Sequence, residues 1–129
     1  MNAWDRLHGA VVELTKGISL KQRLTVCFSK HLSDLDAMDL PPAIRAQYLE
    51  IVRGLESVRP LPGETAVQAT VRKMSGEEAD LTASRIVDLF SAYARSDASA
   101  EGAAVAQERS RDLFSDESNV IPLMYAAEA

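Results

Sequence analysis

The sequence predicts an all-α fold: a compact bundle of about five antiparallel-type helices, a weaker sixth helix and an extended C-terminal tail. Three observations carry that expectation. Apolar residues recur at spacings of three and four through residues 3–95, the period of a helix with one buried stripe. Helix start signals punctuate the same stretch, with Ser19 three residues before Gln22 and Ser75 three before Glu78, both in the pattern of a capping box. Aromatic residues are only 5% of the chain. The core must then be mostly Leu, Val, Ile and Ala, which suits helix-on-helix packing better than a β-sandwich.

The first helix is expected from Ala3 to Leu14. Asn2 is its N-cap and Asp5 favours the positive end of its dipole. Trp4, Leu7, Val11 and Leu14 form its stripe, Val12 widens it, and Gly17 reads as the stop. The second helix starts at the Ser19 box. Leu20, Leu24, Cys27, Phe28, His31, Leu32 and Leu35 share one face, and the end is expected near Ala37.

The third helix is capped by Asp39 or Leu40, with Pro41 and Pro42 in its first turn, where a missing N–H costs little. Ile44, Tyr48, Ile51, Val52 and Leu55 make its buried stripe. Pro60, Pro62 and Gly63 then force a loop, and Arg59 to Glu64 is the natural place for a hinge between two helical halves. A short fourth helix runs from Thr65 to Met74 with Val67, Val71 and Met74 facing one way. The fifth starts at the Ser75 box and runs to Arg95. Ala79, Ala83, Ile86, Val87, Phe90, Tyr93 and Ala94 are its inner face, with Arg85, and Asp88 or Leu89, pointing elsewhere.

Beyond Ser96 to Ser99, residues 100–114 favour helix by composition but carry a thin apolar stripe of alanines, Val105, Leu113 and Phe114. Residues 1–114 therefore read as one helical domain, the usual size for a single core, and residues 115–129 as a tail. In the tail an acidic, polar stretch (Ser115 to Asn119) precedes the apolar run Val120, Ile121, Pro122, Leu123, Met124 and Tyr125. Pro122 makes that run extended rather than helical. An apolar run there is expected to dock, either back across its own bundle or in a groove on a partner or a sister chain in a homodimer, and for the latter Val120, Ile121, Leu123, Met124 and Tyr125 are the candidate partner-binding residues.

Charge is unevenly spread. Residues 1–31 hold five cations against two carboxylates, and residues 96–129 hold two against seven. Lys16, Lys21, Arg23 and Lys30, with Arg6 nearby, could form a nucleic-acid-binding patch in which the first two helices act as a helix-turn-helix. The net charge of −5 argues against it, because phosphate contacts by Lys and Arg supply most of such affinity. One cysteine, no apolar run near the roughly 20 residues of a membrane span, and no signal-peptide pattern in the first residues point to a cytoplasmic protein.

The remaining constellations read as structure. Cys27 and His31 are stacked four apart, but zinc wants three or four ligands and only His8 remains. Asp34, Asp36 and Asp39 resemble the start of a calcium loop, yet the positions needing Gly and Glu hold Asp39 and Arg45. Glu77, Glu78 and Asp80 sit where a helix dipole favours anions. Trp4 closes one end of the core. No cofactor, metal site or nucleophile–base pair is expected, which leaves a non-catalytic interaction protein, with a nucleic-acid-binding regulator as the alternative.

Overall fold

The computed structural model describes residues 2–96. The expected sixth helix and the tail, including residues 120–125, lie outside the described residues. Within them the chain is helical and contains no strand.

Helix α1 spans Ala3–Glu13. Asn2 caps it, its side-chain oxygen accepting the Asp5 N–H at 2.9 Å. Leu7, Ala10 and Leu14 are buried and Trp4 packs against the core. Val12, expected to widen the stripe, is 39% exposed. Gly17 is not the stop: α1 ends at Glu13, and among the described residues only Gly63 has positive φ, at +83°. Side chains end the helix instead. The Thr15 hydroxyl donates to Val12 O at 2.7 Å, and Arg23 Nη1 donates to Leu14 O at 2.6 Å.

Helix α2 spans Leu20–Cys27 behind the complete Ser19–Gln22 box. It does not continue as an α-helix to Ala37. Phe28–Leu32 form a π turn in which Ser33 N–H donates to Phe28 O, five residues back, at 2.8 Å. The Tyr48 hydroxyl reaches the carbonyls of Leu32 and Leu35 at 2.7 and 2.8 Å, which satisfies the helix end. Ser33, Asp34 and Asp36 then favour local hydrogen bonds over helix: Asp36 accepts the Met38 N–H at 2.9 Å and opens a 3₁₀ turn at Ala37–Asp39.

Helix α3 spans Pro42–Leu55, one residue later than a Pro41 start. Pro42 holds its predecessor extended, so Pro41 is the cap. Ile44, Tyr48, Ile51 and Leu55 are buried as expected. Helix α4 spans Ala66–Lys73 behind a third capping box, Thr65 with Gln68, and α5 spans Gly76–Ala94 behind the Ser75–Glu78 box. On α5 the inner face is rotated from expectation. Leu89 is fully buried and Val87 is 43% exposed, because Ile86, Leu89 and Tyr93 keep the three-then-four spacing that Val87 breaks.

The Arg59–Glu64 loop does not divide two cores. Buried residues from helices on both its sides form one cluster, with Leu7, Leu24, Leu32, Leu40, Leu55, Ile86 and Leu89 all essentially inaccessible. Each such side chain contributes about 1.5–3 kcal/mol by leaving water. The loop is also tied down. Thr70, the one buried polar side chain among the described residues, donates to Ala66 O at 2.8 Å and accepts the Val58 N–H at 3.0 Å.

Candidate functional site

Helices α2 and α4 pack side by side, and an open groove of about 400 Å³ runs between them. Ile18, Val26 and Val71 supply its apolar surface, and Lys21 and Arg72 are its ionisable lining. Thr25 also lines it, with its hydroxyl turned onto Lys21 O at 3.0 Å. The lining contains no carboxylate.

The groove is built by contacts the sequence makes locally. Ile18 lies in the connection between α1 and α2 and is 44% exposed. Arg23 Nε donates to Ile18 O at 2.9 Å while Nη1 holds Leu14 O, so one guanidinium fixes the loop that carries Ile18. On the other flank Arg72 grips Glu64 through two hydrogen bonds, at 2.8 and 3.1 Å. Glu64 also accepts the Leu61 N–H at 3.1 Å. The Arg72 hydrogen bonds, then that N–H, hold the Glu64 carboxyl below its usual range. Gly63, with its positive φ, lets the turn close beneath this clasp. Lys21 Nζ lies 3.5 Å from Arg72 O, where a cation meets the negative end of α4.

The four basic residues expected to form a nucleic-acid patch have different surroundings. Lys16 and Lys30 are exposed, while Lys21 and Arg23 are half-buried and directed at backbone carbonyls. The structure brings Lys21 to the groove, and Arg23 supports it from behind.

Cys27 and His31 turn to different partners. The Cys27 thiol is inaccessible and donates to Ala10 O at 3.3 Å. Burial, aided by the Glu13 charge, pushes it up to about 12, so it stays protonated and unreactive as a nucleophile. His31 Nε2 lies 3.1 Å from Glu13 Oε1; a carboxylate only accepts, so this nitrogen is the donor. That hydrogen bond holds the Glu13 carboxyl below its usual range, against the opposing effect of burial.

Asp34 faces Arg6 at 3.5 Å, and Asp36 is consumed by its turn. Among the described residues no group of three His, Cys, Asp or Glu is placed to hold a metal ion. Glu78 is spent on the Ser75 N–H at 2.8 Å. Trp4 stacks on His8 with ring centres 6.4 Å apart and tilts against Phe90 at 5.1 Å, joining α1 to α5. No described helix is long and apolar enough to cross a membrane.

Sequence reasoning passed over Ile18 and Val26. Their signal was present, because Val26 is apolar yet falls off the stripe of α2, and Ile18 is apolar in a connection that should be polar. Two further grooves exist. One, between α3, α4 and α5, is rimmed by Glu50, Lys73, Glu78 and Arg85; the other, between α1, α2 and α5, carries Asp88 beside Val11 and Val87. No family model, no curated protein and no solved structure matches this chain.

Proposed function

We propose that this chain is a non-catalytic protein-interaction module, an adaptor, inhibitor or regulatory subunit whose helices form an antiparallel-type bundle. Its working surfaces are the α2–α4 groove and the C-terminal residues Val120, Ile121, Leu123, Met124 and Tyr125. The observation that supports this reading is the groove itself: Ile18 exposed and Val26 half-buried in a lining whose ionisable side chains are Lys21 and the Glu64-paired Arg72. Such a surface suits an apolar segment with acidic neighbours, the common arrangement in which apolar anchors give affinity and charge gives orientation. Nucleic-acid binding by Lys16, Lys21, Arg23 and Lys30 draws less support, since Arg23 is held on two backbone carbonyls and the net charge is −5.

The test is capture from native cell extract with the full chain and with Ile18→Asp/Val26→Asp, each with and without nuclease. A protein recovered by the native chain regardless of nuclease, and lost by the variant, supports the reading. Equal recovery by both removes the groove from it. Recovery that nuclease abolishes, and that Lys16→Glu/Lys30→Glu also abolishes, replaces it with nucleic-acid binding. Arg23→Glu is unsuited to that role because it would loosen the α1–α2 connection.

A further inference from the structure

We propose that the α2–α4 groove is occupied by the chain's own residues 120–125, which makes the tail an internal competitor for the groove's partner. The inference rests on the groove being an interaction surface, as proposed above. Residues 1–96 hold twelve cations and twelve carboxylates, so they are neutral, and the whole net charge of −5 lies in residues 97–129. Asp116 and Glu117 stand four and three residues before the apolar run. Lys21 makes no ion pair among the described residues and stands at the groove's edge. An apolar segment led in by carboxylates therefore meets an apolar surface edged by the Lys21 charge, Arg72 being already paired with Glu64.

The other two grooves fit this occupant less well. Glu50 and Glu78 offset Lys73 and Arg85 around one, and Asp88 lines the other, whose Arg23 is already committed to Leu14 O and Ile18 O. Carboxylates there would repel the acidic lead-in.

Reach and concentration favour the same chain over a neighbour. Residues 97–119 separate the end of the described body from the apolar run. At about 3.4 Å per extended residue they can span roughly 75 Å. With residues 100–114 helical, at about 1.5 Å each, the span is still roughly 50 Å. A domain of this size has a radius of gyration of only about 12 Å, so every groove is within range. Tethering gives an effective concentration on the order of 1 mM, about a hundred-fold above a 10 µM solution of neighbouring chains.

The experiment uses the full chain with Ala127→Cys, just outside the apolar run, carrying a nitroxide spin label. Buried Cys27 does not take the label. The expected result is selective broadening of the amide signals of Ile18, Gln22, Val26, Gln68 and Val71. Lys21→Glu should lower the docked-to-undocked ratio about three-fold, the effect of one exposed ion pair. Broadening at another groove, or spread evenly over the surface, overturns the proposal. So does broadening in a mixture where the label and the observed nuclei sit on different chains, which would mean exchange between sister chains. The two readings can fail separately. Selective broadening with no captured protein overturns only the partner function, and capture with broadening elsewhere overturns only tail docking.

Discussion

A Cβ built on Gly9 would lie 2.6 Å from His31 Nδ1 and 2.8 Å from Cε1, so the bare backbone of α1 is the seat of the His31 ring. The ring's other nitrogen reaches Glu13, four residues further along the same helix face. A glycine inside a helix costs about 1 kcal/mol relative to alanine, and that cost is offset here by what the gap admits. Gly9→Ala should therefore destabilise the fold by about 1 kcal/mol net, since overpacking costs about 1–3 kcal/mol. In a His31→Ala background the clash is gone, and Gly9→Ala should stabilise by about 0.5–1 kcal/mol. Urea denaturation of the four chains measures the cycle; the same sign in both backgrounds would show that the ring does not need the space.

The pair between Glu13 and His31 should leave a mark on acid stability. Glu13 has its pKa lowered from 4.5, chiefly by the His31 hydrogen bond. As pH falls, the unfolded chain takes up this proton before the folded one does. The contribution is complete above about 4.5 and is lost as pH drops through the lower folded value. Glu64 acts in the same direction, but it does so equally in a His31→Ala chain. Denaturation midpoints across roughly pH 5 to pH 3 should fall more steeply for the native chain than for His31→Ala, and parallel curves would remove the pair from the account.

Cys27 should be silent towards thiol reagents in the folded protein. Its thiol is inaccessible, bonded to Ala10 O and pushed up to about 12, so neither reach nor thiolate is available at neutral pH. Labelling at pH 8 should follow global unfolding and accelerate with urea in parallel with it. Rapid modification in native buffer would mean that α1 and α2 separate locally.

Arg23 is expected to matter to the fold more than to any anion. Arg23→Ala leaves Leu14 O and Ile18 O without their charged donor; the loss should be about 1–2 kcal/mol, reduced from a buried case because water can reach the site. Arg23→Lys should recover little, since an ammonium cannot reproduce the fork that spans two carbonyls. Thermal denaturation checks both, and an unchanged midpoint in Arg23→Ala would return this residue to the set free for binding.

Much of this architecture could be read from the chain. The stripes of α2 and α3 and the start of α5 were encoded locally, in spacing, proline placement and capping residues. What escaped was decided by contacts between distant segments. The end of the π turn at Phe28–Leu32 meets Tyr48, sixteen residues beyond Leu32, whose hydroxyl reaches back to that carbonyl. Gly17 resembled a helix stop because no local rule reveals that Arg23 will occupy Leu14 O. The inward turn of Leu89 rather than Val87 needed knowledge of which side of α5 meets α1 and α3. The groove was hidden for a similar reason, since Ile18 and Val26 gain significance only when α4 lies alongside.

The π turn also bears on how this chain can change in length. It holds one residue more than the α turn it replaces, and its Ser29 and Lys30 are exposed while Phe28 and Leu32 are buried. Loss of a single residue inside a helix normally swings everything after it by about 100° around the axis. Here a deletion at Ser29 can be absorbed by closing an ordinary α turn, with Phe28 and Leu32 still facing the interior. The segment is thus a built-in allowance for length variation, at a point where most helices tolerate none.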